Sequence, residues 1–291
     1  VSPFYFMNDL IDEPYLLIKD KEFKILSNIC THRANLLCTS YSNNQLIQCK
    51  YHGRTFNLSG KLNAAPGFEE AKNFPTKTDN LNAAPLKLWN DFIFCSVKSP
   101  INIDSIFNDI DKRLKNYSFN DLVYDKSNSK TYKINAHWAL YCENYLEGFH
   151  VPFLHKGLNN EIDLNSYNTE LLDHGVLQYT KGKSDNNIYA YYYWIFPNLM
   201  LNFYNWGLSM NIVEPLEKNK TRIRFLSFPL KGNTQPLDDP SSLDRVELED
   251  QEIVLNVQKG ISSYNYNGGR YSPKHEKGIH YFHQLLCRYL S

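Results

Sequence analysis

The sequence predicts an α+β protein with a small antiparallel β unit over residues 1–100 and a larger unit over residues 101–291. Three observations carry this. Short apolar runs separated by turn residues fill the first hundred positions. A succession of strand-like runs occupies 176–228. Two long helical patterns follow, at 241–263 and 273–290. At 291 residues the chain is long for one domain and comfortable for two. Hydrophobic residues at 42% and charged residues at 21% exclude a disordered chain. Lys+Arg and Asp+Glu are both 31, so the net charge is zero and a basic field for nucleic acid is absent. No apolar run approaches the roughly 18 residues that a membrane helix needs.

Each element follows from local pattern. Residues 15–18 and 23–26 read as strands, 46–48 as a third, and 54–58 as a hairpin arm turned by Ser59-Gly60. The aromatic run 86–97 reads as one closing strand, and 104–115 as a short linking helix before the larger unit begins near Tyr117. Residues 136–149 have broad apolar cover and read as a helix that Pro152 should stop. Strands are expected at 176–180, 188–196, 199–204, 208–213 and 221–228. The polar loop 230–239 reads as a surface segment. Asp239-Pro240-Ser241 opens the helix 241–263, whose apolar stripe runs Val246, Ile253, Val254, Val257, Ile261. No internal repeat or low-complexity segment occurs.

Two short segments carry paired metal ligands. Cys30-Thr31-His32-Arg33 offers a thiol and an imidazole. Cys49-Lys50-Tyr51-His52-Gly53 offers another of each, after sixteen intervening residues. A Cys2His2 zinc site is one reading, but zinc fingers place two Cys before two His. One thiolate and one imidazole on each of two loops suits a [2Fe–2S] cluster with one iron on two thiolates and the other on two imidazoles.

A second cluster of ligands lies in the helix expected before Pro152. His150 and His155 are five apart, and the helix break lets both converge on one point. Glu147 is three residues before His150, on the same face. A third ligand must come from elsewhere. Asp250 falls in the apolar stripe of the helix 241–263, where a carboxylate is costly unless it is paired or holds a metal. Its neighbours Glu247, Glu249 and Glu252 are expected to point elsewhere, into solvent.

Cys-Thr-His-Arg and Cys-x-Tyr-His-Gly-Arg resemble the Rieske non-haem iron oxygenases, specifically their catalytic α subunits. The likeness continues through Asn144-Tyr145-Leu146-Glu147, His150-Val151-Pro152, His155-Lys156-Gly157-Leu158, Trp194-Ile195-Phe196-Pro197-Asn198, Asn202-Phe203-Tyr204, Trp206-Gly207 and Gly269-Arg270-Tyr271-Ser272-Pro273 with Glu276, which look like the choline monooxygenase branch. The resemblance implies a Rieske [2Fe–2S] domain over 1–100 and a helix-grip-like catalytic domain over 101–291, with a curved antiparallel sheet around the iron. It implies a cluster on Cys30, His32, Cys49 and His52. It places one mononuclear Fe(II) on His150, His155 and Asp250, with O2 as co-substrate. It places Glu147 as the electron bridge between subunits of a homotrimer and Asn144 among the catalytic residues. A flavin-containing NAD(P)H reductase, with or without a ferredoxin, would supply electrons. Many ring-attacking members carry Asp where Glu147 stands, and Glu reaches about one bond further. The resemblance also implies some tens of residues before Val1, and a cytoplasmic location, or an organelle stroma or matrix if a transit peptide precedes.

Three readings of function follow. The first is hydroxylation of a methylated or quaternary amine of choline, betaine or carnitine type, with Tyr191, Tyr192, Tyr193, Trp194, Phe203, Tyr204 and Trp206 as possible cage residues. Tyr193, Phe203, Tyr204 and Trp206 are the candidates for the pocket. The second is ring hydroxylation of an aromatic compound in the same apolar pocket. The third is a non-enzymatic Rieske electron carrier or a structural zinc protein, which gives His150, His155 and Asp250 no role. Cys38, Cys95, Cys142 and Cys287 receive no chemistry, nor do His137, His174, His275, His280 and His283.

Overall fold

A computed structural model describes residues 1–97, 100–184, 186–234 and 243–291. The chain divides into two compact units, Val1–Ile101 and Asn102–Ser291. No helix among the described residues is long and apolar enough to cross a membrane.

The first unit is all β. Strands β1 (Ser2–Phe6), β2 (Glu13–Lys19) and β3 (Phe23–Ser27) form an antiparallel sheet, joined later in the chain to a two-residue strand at Ala83–Ala84. A second sheet contains β4 (Leu46–Gln48), β5 (Thr55–Asn57) and β6 (Leu62–Ala64). Leu16, Ile18, Leu26, Ile47 and Phe56 point inward at period two and make one core, into which Cys30 and Cys49 are also packed. The loops that carry the cysteines are therefore anchored on the core itself. Residues 86–97 are not one strand. They form a hairpin, Leu86–Trp89 against Phe92–Cys95, turned at Asn90, whose φ is 49°. An asparagine tolerates that left-handed position, which is why the turn was hidden inside an aromatic run.

The second unit is one antiparallel sheet with helices on it. We number its strands onward from β7 (Asp125–Ile134), through β8 (Ile162–Leu172), β9 (Gly175–Gly182), β10 (Ile188–Ile195), β11 (Leu199–Tyr204) and β12 (Gly207–Glu217) to β13 (Lys220–Pro229). The seven strands pair in the order β7-β13-β12-β11-β10-β9-β8. Helix α1 (Asp104–Arg113) buries Ile106, Phe107 and Ile110, and its Asp109 accepts the Tyr193 hydroxyl at 2.8 Å from one face of the sheet. The opposite face carries Tyr192 and Trp194, since neighbouring strand residues alternate. There α2 (Trp138–Tyr145), α5 (Leu243–Gly260) and α6 (Lys277–Leu290) pack, with Phe282 edge-on to Trp194 at 5.3 Å and to Trp138 at 5.7 Å.

Two expectations change here. The helix expected at 136–149 ends at Tyr145, and Pro152 does not stop it. A second short helix, α3 (Val151–Leu154), begins there with Pro152 in its first turn, where a missing N–H costs nothing, and α4 (Lys156–Glu161) follows His155. The stripe expected on α5 is only partly its inward face: Val254 is buried and Val246 and Asp250 line a cavity, but Ile253, Val257 and Ile261 are 37–42% exposed, and Glu247 takes a buried place instead. The helix turns its acid-bearing face toward the sheet, because Tyr141, Asn144 and Gln258 tie α2 to it. The expected opening at Asp239-Pro240-Ser241, and positions 235–239 of the expected surface loop, lie outside the described residues.

Candidate metal centres and pocket

The two Cys/His loops of the first unit are built alike. In each, the cysteine carbonyl accepts the N–H four residues on, Ala34 to Cys30 and Gly53 to Cys49, both at 3.0 Å. The donor residue in each has positive φ, 52° at Ala34 and 73° at Gly53. The chain thereby folds back on itself and aims successive N–H groups at the sulfur. His32 and Arg33 supply them to Cys30, and Tyr51 and His52 to Cys49. Burial pushes the Cys30 thiol up. Burial also opposes a Cys49 thiolate, but the Tyr51 N–H, the Cys30 thiol, the His52 N–H and the Asn35 amide outweigh it and hold Cys49 below the usual thiol range. Arg54 pins the loops together. It is buried, reaches Thr31 Oγ1 at 3.2 Å and Asp79 at 3.4 Å, and lies over the Phe68 and Phe74 rings.

The donors fit a two-iron cluster. Both thiols are free and buried, and they stand within hydrogen-bonding reach of each other. The His32 and His52 rings stand edge-on to each other, 4.8 Å between centroids. Nδ1 of His32 is buried with no hydrogen-bond partner, an unsatisfied lone pair of the kind a metal takes up. One thiol and one imidazole from each of two loops is the donor set of a two-iron cluster with two thiolates on one iron and two imidazoles on the other.

In the second unit α2 ends at Tyr145, and Glu147 organises the turn that follows. Its Oε2 accepts the N–H groups of Phe149 and His150, and its Oε1 holds His150 Nδ1 at 2.5 Å. Gly148 has no room for a side chain: a Cβ there would sit 2.5 Å from the Tyr167 ring. Asp250 on α5 completes the group. His155 Nε2 lies 3.0 Å and His150 Nε2 3.7 Å from Asp250 Oδ1, and Asn144 donates its amide to the same oxygen at 2.7 Å. Glu249 takes His155 Nδ1 at 2.8 Å. So each imidazole gives Nδ1 to a glutamate and turns Nε2 inward, the arrangement that leaves two lone pairs and one carboxylate for a metal. Burial lowers the His155 imidazole, and the Asp250 and Glu249 carboxylates outweigh it, setting it above its usual range. These donors fit one iron with open positions.

A cavity of about 130 Å³ adjoins the three groups. Its floor is a row of cross-strand partners, Gln178–Tyr192–Asn202–Ser209, all on one face of the sheet. Tyr145 donates to Asn202 at 2.6 Å. Tyr204 stands near-perpendicular to both Tyr189 and Tyr192, at 6.4 and 5.9 Å. Strict alternation would turn Tyr189 away, but a register shift between β9 and β10 beside it breaks the pattern.

The sequence-predicted pocket needs correction. Tyr204 lines the cavity, but Tyr193, Phe203 and Trp206 do not. Tyr193 and Phe203 are odd-numbered and face α1 and Tyr117; Trp206 stacks on the outside of Tyr204 at 5.3 Å. Glu247 and Glu249 were expected in solvent, yet Glu247 is 4% exposed and Glu249 binds His155.

Known proteins match this arrangement. Residues 4–75 match the Rieske [2Fe-2S] domain, and residues 167–291 match the ring hydroxylating alpha subunit catalytic domain. The chloroplastic choline monooxygenase of Beta vulgaris is 30% identical over 97% of this chain and 67% of its own length. The chain belongs to the Rieske oxygenase α subunits, on their quaternary-amine branch. The carnitine monooxygenase oxygenase subunit of Escherichia coli is 26% identical to this oxygenase over 98% of the chain and 83% of its own. The fold is shared with a crystal structure of the quaternary ammonium Rieske monooxygenase CntA bound to L-carnitine, at TM-score 0.72 and 21% identity over 99% of this chain and 84% of that one. This protein is therefore an iron-dependent oxidoreductase that uses a [2Fe–2S] cluster, a mononuclear iron and O2, and neither an electron carrier alone nor a zinc protein.

Proposed function

We propose that this Rieske oxygenase hydroxylates a small methylated or quaternary amine beside its nitrogen, with Cys30, His32, Cys49 and His52 holding the cluster and His150, His155 and Asp250 the mononuclear iron. The observation that carries the substrate class is the corner of Tyr189, Tyr192 and Tyr204 beside the three iron ligands. Perpendicular rings present their negative faces from two sides, which suits a trimethylammonium group more than a flat ring. Burial raises the Tyr192 and Tyr204 hydroxyls above their usual range, so both rings stay neutral at physiological pH. The choline and carnitine monooxygenases among its relatives support the same class.

When bound, the cluster relays single electrons and the iron activates O2. The chain's residues do the rest. Glu147 keeps the His150 Nδ1 proton and fixes the ring, and Glu249 does so for His155. Asn144 orients Asp250 as a positioning residue. In a homotrimer Glu147 would also accept a hydrogen bond from His52 of the partner subunit, making it the link by which electrons cross. His52 is exposed, and Glu147 Oε1, which takes only His150 Nδ1, keeps accepting capacity, which supports that link. A flavin-containing NAD(P)H reductase, directly or through a ferredoxin, is the electron source. Cytoplasm or a plastid stroma is the place of action, the plant relatives being chloroplastic.

The test is oxygen uptake by iron-loaded, cluster-reduced protein offered choline, glycine betaine, carnitine and aromatic acids in parallel. Uptake coupled to an amine, with its oxidised product formed, is expected. Uptake coupled only to an aromatic acid overturns the amine assignment.

A further inference from the structure

The cavity is charged on one side only. Three carboxylates line it, Glu147, Asp250 and Glu247, and among the described lining residues there is no lysine or arginine. Glu147 and Asp250 are engaged with histidines. Glu247 is not. It stands one helical turn before Asp250 on α5 and is 4% exposed. Its partners are neutral: the Tyr141 hydroxyl donates to Oε2, and the Gln251 amide donates to Oε1 at 2.7 Å. Lys130, which lines an adjoining cleft with Glu247, has its ammonium on Asp244. Tyr132 also reaches Asp244, at 3.5 Å.

A buried acid with no cation is expensive. Burial, with Asp250 and Asp244 nearby, pushes the Glu247 carboxyl up to about 8 against the pull of Tyr141 and Gln251. Glutamine could accept the Gln251 amide on its oxygen and donate its own amide to the Tyr141 hydroxyl oxygen, at lower cost. An acid at this point is explained by a cation that arrives from outside.

Resting on the amine reading above, we propose that Glu247 is the specificity-determining residue of the pocket: its carboxyl ionises against the substrate's ammonium, releasing its proton to solvent, and as a carboxylate turns away amines that also carry one. Such an amine would find no basic partner for its acid group, and would meet Glu247 as a like charge.

Equilibrium binding to the holoprotein by calorimetry tests this, with choline, glycine betaine and 3,3-dimethylbutan-1-ol, the uncharged isostere of choline, as probes. In the wild type, choline is expected to bind at least about tenfold more tightly than either of the others, the order of one buried charge contact. Glu247→Gln should cut the choline-to-isostere ratio about tenfold and leave isostere binding within about threefold, which also reports an intact pocket. An unchanged ratio in the variant overturns the proposal and leaves the amine reading standing. If the variant does not fold, the wild type decides: glycine betaine binding as tightly as choline overturns the proposal. Binding of none of the three overturns the proposal, and the amine reading then stands or falls on carnitine in the oxygen-uptake test.

Discussion

At the scale of single residues, the site depends on which atoms are left free. Each imidazole of the iron group has one nitrogen tied to a glutamate, so the other is aimed. Glu249 is the less obvious of these two glutamates. In sequence it is one of four acids within six residues, and nothing but its partner distinguishes it. Asp250 was legible because a carboxylate in a helix stripe needs a reason; Glu249 was not, because its partner comes 94 residues earlier. Loss of such a carboxylate behind a metal-bound histidine typically costs 10–100-fold in metal affinity. Glu249→Gln should therefore weaken mononuclear iron binding by about 10-fold or more, while the cluster's visible absorbance stays at wild-type intensity. Iron titration followed by ferrozine assay, beside the absorbance spectrum, measures both. Unchanged iron affinity would show that Glu249 serves only its surface pair with Arg245.

At the scale of elements, the break between α2 and α3 is what makes a His-x4-His spacing converge. The sequence indicated a break at Pro152, but the chain breaks earlier, at Leu146 and Gly148, and Pro152 starts the next helix. A proline marks a boundary without saying on which side the helix lies. Gly148 sets the path of this break, since Tyr167 occupies the space of a side chain. Gly148→Ala should push the turn off the sheet and move Glu147 and His150 together. We expect about 1–3 kcal/mol of lost stability, read by thermal or chemical unfolding, with lower iron occupancy. A variant of full stability and full iron content would mean that the Tyr167 ring swings aside at no cost. The strands were more legible than this break. Residues 199–204 were read as they stand because a dense apolar run bounded by Asn198 and Asn205 leaves little choice. Polar β7 and β8 passed unread, since their burial is partial and their alternation weak. The pocket was misread for a related reason: in Tyr191-Tyr192-Tyr193 all three residues are aromatic, and only register tells which face each takes.

At the scale of the whole molecule, the chain uses two metal centres, and the ligands proposed for each fall within a different one of the two compact units. Each centre can therefore be removed alone. Cys49→Ser should abolish the cluster and keep the iron, and Asp250→Ala should do the reverse. If electrons pass from the cluster of one subunit to the iron of the next through Glu147, these two inactive proteins complement each other. Co-expressed with different tags and purified as mixed oligomers, they place an intact cluster beside an intact iron at some of their interfaces. Those oligomers should recover a fraction of wild-type turnover, while each homo-oligomer remains inactive. Adding Glu147→Gln to the subunit that keeps its iron should remove the recovered activity, because that glutamate is the one at the working interface. Adding it to the other subunit should leave the activity in place. Transfer within one subunit predicts the opposite: mixed oligomers as inactive as their parents, since no single chain in them holds both metals.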